Sequence, residues 1–259
     1  MKNNGSPLAS REAILGYPVS TLCLEACIRE IADRIAEEKK GLYLACANPH
    51  SLMEARHDAA FERALKGADL LLPDGAGIVM ASRILGGQIR ERITGSDIFR
   101  EVNRFLAQEG RSCFLLGATM ETLAKIKARL AVDFPGLSVA GVYAPPFSND
   151  FDAEEDRRML RAIHEARPDV LWVGMSAPKQ EKWILRNKGK LDVKFIGAVG
   201  AVFDFFAGNV RRSHPWFLEH GLEWLPRLLQ EPRRLWKRTF ISAPLFLLRV
   251  LRQKITAKV

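Results

Sequence analysis

The chain has 259 residues, of which 47% are hydrophobic and 27% are charged. This length and apolar content suit one large α/β domain, or two small closely packed lobes, and exclude disordered, collagen-like and disulfide-scaffold proteins. Lys and Arg outnumber Asp and Glu by 39 to 30. The excess is concentrated in residues 209–259, which carry eleven basic and three acidic side chains, so the first 208 residues are nearly neutral.

Apolar runs of strand length alternate along the chain with amphipathic stretches of helical length. The predicted strands are Leu42–Ala47, Asp69–Leu72, Ser112–Leu116, Ser138–Val142, Val170–Val173 and Val193–Ile196. The predicted helices are Thr21–Glu38, Ser51–Leu65, Thr119–Val132, Ala153–Ala166 and Pro178–Asn187. Continuous apolar strands separated by helices predict a Rossmann-like, mainly parallel sheet with helices on both faces. Its strand-to-helix loops then meet at one edge, where ligands bind.

Residues 209–259 are predicted to form a basic, amphipathic helical appendage to an α/β core of residues 1–208. Beyond Pro244, one helical face is apolar and consists of Leu247, Leu248, Leu251 and Ile255. Basic side chains beside tryptophans and leucines suit an anionic membrane surface, and no recognised nucleic-acid-binding motif accompanies them. The uncharged run Thr239–Leu248 would extend about 15 Å as a helix, too short to span roughly 30 Å of hydrocarbon.

Two loops carry the most informative polar residues. Asp74 follows a predicted strand in a Pro-Asp-Gly turn, which places its carboxylate at the ligand-binding edge. A structural role is the alternative, because Asp also fits such turns or caps the following helix. Lys179 and Gln180 begin a predicted helix, whose free N–H groups can bind an anion. A surface helix start is the alternative there, although Lys in a first helical turn opposes the helix dipole.

Two further loops are weaker candidates for ligand binding. Gly117 and Ala118 form a strand-to-helix turn that a nucleotide can enter, although any tight turn of this kind looks similar. Arg92 precedes Ser96, the predicted cap of the next helix, and is either a phosphate clamp or a solvated charge.

In the appendage, Arg234 and Arg238, four residues apart on one predicted helix face, could reach a pyrophosphate.

The sequence predicts no metal site. Asp150 and Asp152 have the D-x-D spacing of a divalent-cation motif, but they open an acidic helix start, where the helix dipole already favours carboxylates. The five histidines lack paired-ligand spacing. The four cysteines have no zinc-ligand spacing and suit reduced, buried thiols in the cytosol.

In their order and spacing these loops resemble the WecG/TagA/CpsF family of glycosyltransferases (glycosyltransferase family 26). The resemblance runs from about Ile14 to Arg238 and covers most of the chain. The motifs that carry it are Leu72–Gly77, Glu91–Asp97, Phe114–Ala118, Gly141–Phe147, Pro178–Glu181, Val202–Phe205 and Gly221–Arg234. Each motif is modest alone, and their joint order makes the resemblance specific.

The resemblance implies an inverting, metal-independent transferase without a cofactor. It would move a sugar from a UDP-sugar onto a polyprenyl-diphosphate-linked saccharide in bacterial surface or exopolysaccharide synthesis. The enzyme would be cytoplasmic and peripheral on the inner face of the plasma membrane, with its appendage on anionic lipid and no nucleic-acid partner. The resemblance leaves open whether the protein forms a homo-oligomer, and no residue identifies the sugar that is transferred. The alternative from another class is a non-catalytic UDP-sugar-binding membrane scaffold or regulator.

The resemblance also implies roles for individual residues. The residue matching Asp74 is the proposed base in that family, and those matching Arg92 and Gln180 line the active site, so these three are the expected catalytic residues. The expected substrate-binding residues are Asn48, Gly75, Gly117, Ala118, Tyr143, Gly174, Lys179, Asp204, Arg227, Arg234 and Arg238. The tail arginines would complete the site when the appendage docks, the third falling on Lys237 or Arg238. Cys46 stands where the family often has a threonine, so this chain lacks that hydroxyl.

Overall fold

A computed structural model describes residues 10–148, 150–210 and 236–256, except for the side chain of Lys237. The strands are β1 (Arg11–Ile14), β2 (Tyr17–Ser20), β3 (Leu42–Ala47), β4 (Leu70–Pro73), β5 (Ser112–Gly117), β6 (Ser138–Tyr143), β7 (Val170–Gly174) and β8 (Phe195–Ala198). The helices are α1 (Leu24–Ala36), α2 (Pro49–Ala55), α3 (Ala59–Lys66), α4 (Ala76–Leu85), α5 (Gly95–Gln108), α6 (Met120–Asp133), α7 (Ala153–Ala166), α8 (Lys179–Asn187), α9 (Val202–Ala207) and α10 (Ala243–Thr256). A 3₁₀ turn at Lys188–Lys190 follows α8, and a π-helical turn at Lys237–Ser242 leads into α10.

Six of the strands form one parallel sheet in the order β4–β3–β8–β7–β5–β6. β1 and β2 pair separately as an antiparallel hairpin. Apolar clusters lie on both faces of the sheet, and helices cover both. The predicted Rossmann-like α/β fold is therefore confirmed. All six predicted strands are present, although β8 begins and ends two residues later than the predicted run Val193–Ile196.

Burial on both faces explains why the strands read as continuous apolar runs. In β3, Tyr43 and Ala45 belong to the cluster on one face, whereas Leu42 and Leu44 belong to the cluster on the other. Successive side chains of a strand point to opposite faces, so neither face of β3 can carry a polar row. Each large apolar side chain buried in this way contributes roughly 1.5–3 kcal/mol to folding.

The predicted helix Ser51–Leu65 is wrong in one respect, because it is split into α2 and α3. The break occurs at Asp58, whose Oδ1 accepts hydrogen bonds from the N–H groups of Ala60 at 3.1 Å and Phe61 at 3.0 Å. A carboxylate that caps two free N–H groups starts a new helix at that point. The split lets α2 begin at the ligand-binding edge while α3 packs against α8.

The prediction that Ser96 caps α5 is also wrong. Thr94 caps α5, since its hydroxyl accepts a hydrogen bond from Asp97 N at 3.2 Å while Asp97 Oδ2 accepts one from Thr94 N at 2.9 Å. Such a reciprocal capping box satisfies one N–H group at each position. The β1–β2 hairpin and α4 were not predicted from the sequence.

Helix α10 docks part of the basic tail on the core by packing against α2 and α4. Phe246 and Val250 are fully buried there. Gln253 ties the helix to the hairpin, since its Oε1 accepts from Leu15 N at 2.8 Å and its Nε2 donates to Ala13 O at 2.9 Å. The opposite side of α10 exposes Leu245, Leu248, Leu251 and Ile255, and the segment before it exposes Trp236, Phe240 and Ile241.

Candidate active site

A cleft of about 550 Å³ opens at the carboxyl edge of the sheet. Its walls come from the segments that follow β3, β4, β7 and β8, together with the start of α5 and the π-helical turn. β4, β3, β8 and β7 are neighbours in the sheet, and open α/β sheets bind ligands outside the carboxyl ends of their strands. The cleft therefore lies at the edge that the sequence predicted.

Asn48 and Asp74 meet because their strands are in register. Ala47 of β3 pairs with Pro73 of β4, so the next residue of each strand enters the cleft beside the other. Asp74 N also donates to Ala47 O at 2.8 Å. Asn48 Oδ1 caps α2 by accepting from Ser51 N at 3.0 Å, which leaves the Nδ2 group of that amide for a ligand.

Two glycines after Asp74 bring α2 and α4 together at the cleft. Gly75 has φ +124°, a conformation that L side chains rarely adopt. At Gly77, a Cβ atom would lie 2.5 Å from Pro49 Cγ, so only glycine allows α4 to pack on the start of α2. Because α4 begins after Gly75, the alternative interpretation of Asp74 as the helix cap is wrong.

Arg92 reaches the cleft from the loop before α5. Ile93 N donates to Pro73 O at 3.1 Å and fixes this loop beside the end of β4. The side chain of Arg92 is half-buried and lines the same cleft as Asp74. A guanidinium in this position brings a fixed positive charge near the Asp74 carboxylate.

Gln180 and Glu181 form the opposite wall at the first turn of α8. Gln180 Nε2 donates to Glu181 Oε1 at 2.8 Å, and Gln180 Oε1 accepts from Gly200 N at 3.0 Å. Both side chains are at most 5% exposed. Burial raises the pKa of the Glu181 carboxyl to about 7.

Cys46 lies in the cleft two residues before Asn48. Burial, followed by the nearby Asp74 carboxylate, holds the pKa of this thiol well above its usual value. The side chain therefore stays a neutral thiol at physiological pH and is a poor nucleophile there.

The tail contributes Arg238, which lines the cleft from the π-helical turn. His50, at the start of α2, holds this turn in place through a hydrogen bond between its Nδ1 and Ser242 Oγ at 2.9 Å. The predicted residues Arg227 and Arg234 lie outside the described residues, as does the side chain of Lys237.

Six predicted substrate-binding residues do not line this cleft. These are Gly117, Ala118, Tyr143, Gly174, Lys179 and Asp204. Lys179 Nζ donates to Ser148 O at 2.8 Å, so it reaches the loop after β6 instead. Tyr143 Oη donates to Glu155 Oε1 at 2.9 Å, and Asp204 lies in α9.

Gly117, Ala118 and Gly174 pack against one another where β5 and β7 end. Ala118 N donates to Gly174 O at 3.2 Å, and a Cβ atom on Gly117 would lie 2.5 Å from that same oxygen. A Cβ atom on Gly174 would lie 2.2 Å from the ring of Phe203. Close backbone packing is therefore a sufficient reason for both glycines.

Gly174→Ala is expected to destabilise the fold, because the added methyl group collides with the buried Phe203 ring. Overpacking of this kind costs about 1–3 kcal/mol, and a chain of this size loses about 2–4 °C of melting temperature per kcal/mol. Thermal unfolding measures the loss. Gly189→Ala is the control, since no atom lies within 4 Å of its added Cβ. Equal melting temperatures for the two variants would contradict the packing explanation.

Within the described ranges, no group of three His, Cys, Asp or Glu residues is arranged to hold a metal ion. The two carboxylates of the D-x-D motif have other partners. Asp152 caps α7, and Asp150 pairs with Arg186 at 3.2 Å. No helix among the same residues is long and apolar enough to cross a membrane.

Sequence analysis missed several residues of the cleft. His50 and Glu54 line it from one face of α2, and Thr94, Asp97 and Glu181 line it from the first turns of α5 and α8. All five stand within a few residues of a strand end or a helix start. That position was the available signal.

The sequence model of the glycosyl transferase WecG/TagA/CpsF family matches residues 12–259. The chain therefore belongs to this family of glycosyl transferases, and the family predicted from the motifs is confirmed.

Similar proteins come from several bacteria. A relative from Bacillus spizizenii W23 is 31% identical over 231 residues, which cover 89% of this chain and 87% of the relative. A relative from Bacillus subtilis 168 is 30% identical over 249 residues, covering 95% and 93%. A relative from Staphylococcus aureus MW2 is 26% identical over 242 residues, covering 93% and 92%. All three are named N-acetylglucosaminyldiphosphoundecaprenol N-acetyl-beta-D-mannosaminyltransferase.

Proposed function

We propose that this protein is an inverting glycosyltransferase that moves a sugar from a UDP-sugar onto a polyprenyl-diphosphate-linked saccharide. The observation that carries the proposal is the convergence of Asn48, Asp74, Arg92 and Gln180 in one cleft, with Arg238 brought to it by the tail. The family and the names of the relatives support the same class of reaction.

Asp74 acts as the general base. The acceptor hydroxyl oxygen attacks the anomeric carbon and forms the new glycosidic bond, while the proton of that hydroxyl passes to the Asp74 carboxylate. The bond from the anomeric carbon to the phosphate oxygen breaks, and UDP leaves with the electron pair. Attack opposite to the leaving group inverts the anomeric centre. The relatives' name specifies a β-D-mannosaminyl unit, which an α-linked donor yields by inversion.

Cationic side chains neutralise the leaving diphosphate. Arg238 and Arg92 both line the cleft, and a guanidinium can bind two phosphate oxygens at once. The same role is proposed for Arg227 and Arg234, which precede the π-helical turn in sequence. Charge that develops on the diphosphate is then met by side chains fixed before the reaction, without a metal ion or another cofactor.

The exposed side of α10 holds the enzyme on the cytoplasmic membrane face, beside its lipid-linked acceptor. Leu245, Leu248, Leu251 and Ile255 are each at least 38% exposed on this side of the helix. Arg252 is exposed on the same helix, and Arg249 is half-buried. An apolar stripe beside basic residues suits the interface of an anionic bilayer.

Replacing Leu248 and Ile255 together by Gln is expected to weaken binding to anionic phospholipid vesicles. Full burial of one such side chain contributes about 1.5–3 kcal/mol, so the double variant loses at least about tenfold in affinity. Both residues are at least 65% exposed, so the fold should be unaffected. Sedimentation with vesicles measures the change. Val132→Gln, at a site on α6 that is also more than 65% exposed, is the control, and equal binding of the wild type and both variants would contradict this role.

The direct test incubates the full chain with UDP-sugars and a polyprenyl-diphosphate-linked N-acetylglucosamine, with and without a chelator. N-Acetylmannosamine is the first donor sugar to test, because the relatives' name contains it. The expected result is chelator-resistant transfer with a β-configured product in the proton NMR spectrum. Binding of UDP-sugar without turnover would favour the scaffold alternative instead.

A further inference from the structure

Both polar atoms of the Gln180 amide are fixed by the protein. Its Oε1 accepts from Gly200 N at 3.0 Å, and its Nε2 donates to Glu181 Oε1 at 2.8 Å. A backbone N–H can only donate, so it must meet the amide oxygen, and the amide nitrogen then faces Glu181. Because Nε2 carries two protons and Glu181 accepts one, the amide has a second N–H to offer to a ligand in the cleft that Gln180 lines.

Gly200 supplies the first of these two anchors through its backbone geometry. It follows β8 with φ +54°, a left-handed conformation that favours glycine. A Cβ atom at this position would lie 3.4 Å from Gln180 Nε2. The turn therefore brings its N–H directly against the amide of Gln180.

Glu181 supplies the second anchor, and packing alone does not explain why a glutamate occupies this buried position. The residue is 3% exposed, and its Oε2 has no hydrogen-bond partner among the described residues. Burial removes water from the carboxylate and raises its pKa to about 7. An apolar side chain of similar size would fill the same space without an unmet oxygen. What it would lack is the hydrogen bond to Gln180.

We propose that Glu181 is a positioning residue for sugar transfer, which holds the Gln180 amide in one of its two orientations and directs the second N–H of Gln180 at an oxygen of the bound substrates. The proposal rests on the proposed function of the cleft and assigns it a residue that acts only through Gln180. When Glu181 cannot accept a hydrogen bond, the amide is held at Gly200 alone and is free to rotate away from the substrate.

Two substitutions separate the hydrogen bond from the volume of the side chain. Glu181→Met keeps the length but removes the acceptor, and kcat is expected to fall about 10- to 100-fold through misplacement of Gln180. Its melting temperature should equal or exceed that of the wild type, because an unmet buried oxygen is removed. Glu181→Gln retains an acceptor oxygen and should recover most of the lost kcat. A purely structural role would instead lower the melting temperature in Glu181→Met and leave the kcat of the folded fraction unchanged.

A double-mutant cycle tests whether Glu181 acts through Gln180. Once Gln180→Ala has removed the amide, adding Glu181→Met should slow the enzyme no further. Losses that multiply in the double variant would overturn the proposal. Glu30→Met is the control and should leave kcat unchanged. Glu30 is also a buried glutamate that accepts a hydrogen bond, from Arg34, but it lies in α1 outside the cleft.

A spectroscopic measurement keeps the proposal distinct from the proposed function. In the ¹H–¹⁵N spectrum, the Gln180 side-chain amide, assigned by its loss in Gln180→Ala, should show two well-separated proton shifts in the wild type. In Glu181→Met those shifts should move towards solvent-exposed values. An unchanged Gln180 signal would overturn the role of Glu181 even if the wild type is active. The expected change without any sugar transfer would support the hold of Glu181 on Gln180 and would count against the proposed function instead. Should Glu181→Met fail to fold, Glu181→Gln decides: kcat as low as in Gln180→Ala would overturn the proposal.

Discussion

Asp74→Asn is expected to reduce kcat by about 10²- to 10⁴-fold, the usual contribution of a general base. Asparagine keeps the shape of the side chain but cannot take the proton of the acceptor hydroxyl. The backbone contacts that fix this residue, from Asp74 N to Ala47 O and to Leu72 O, do not involve the carboxylate. The fold and the affinity for the UDP-sugar should therefore be retained. Steady-state transfer assays, combined with thermal shifts on donor binding, measure both quantities.

A surface carboxylate provides the matched control for this experiment. Asp133, at the end of α6, pairs with Arg129 at 3.1 Å and does not line the cleft. Asp133→Asn should leave kcat at the wild-type value. Full turnover in Asp74→Asn would remove the residue from the mechanism and point to another base in the cleft.

Arg238→Ala is expected to lower kcat by about 10²- to 10³-fold, as the loss of one preorganised donor to a developing oxyanion typically does. Arg238 lines the cleft, so its removal leaves part of the charge on the leaving diphosphate unmet. Arg238→Lys should recover activity only in part, since an ammonium cannot bind two phosphate oxygens in a fixed fork. The assay should use a water-soluble acceptor analogue, so that membrane binding does not contribute.

Arg157 on α7 supplies the control for the change in net charge. It is exposed and stands outside the cleft, so Arg157→Ala should transfer sugar at the wild-type rate. Equal losses in the two alanine variants would attribute the effect to overall charge rather than to contact with the diphosphate.

The sequence was sufficient to place three of the expected site residues at the ligand-binding edge, while their roles stay predictions. Asn48, Asp74 and Gln180 follow apolar runs whose periodicity is unambiguous, and parallel strands must present such residues at one edge. Arg92 was predicted through the resemblance, and its position depends on a contact between Ile93 and Pro73 that no local pattern encodes.

Other features depend on contacts between residues far apart in the chain. Glu181 reads as an ordinary acidic residue in a first helical turn, and only the packing around α8 shows that it is buried. Gly174 reads as a ligand-binding glycine, whereas the structure gives it a neighbour, Phe203, 29 positions later. The capping of α5 by Thr94 rather than by Ser96 was ambiguous because both residue types cap helices well.

The attachment of α10 has a consequence for the order of events during synthesis. Gln253 bonds to backbone atoms of Ala13 and Leu15, at separations of 240 and 238 positions. The ribosome therefore releases the whole α/β core before the segment that carries Arg238 can settle on it. If Arg238 acts on the diphosphate as proposed, a nascent chain with a folded core still lacks that cation, and activity is expected only after the two distant parts of the polypeptide have packed together.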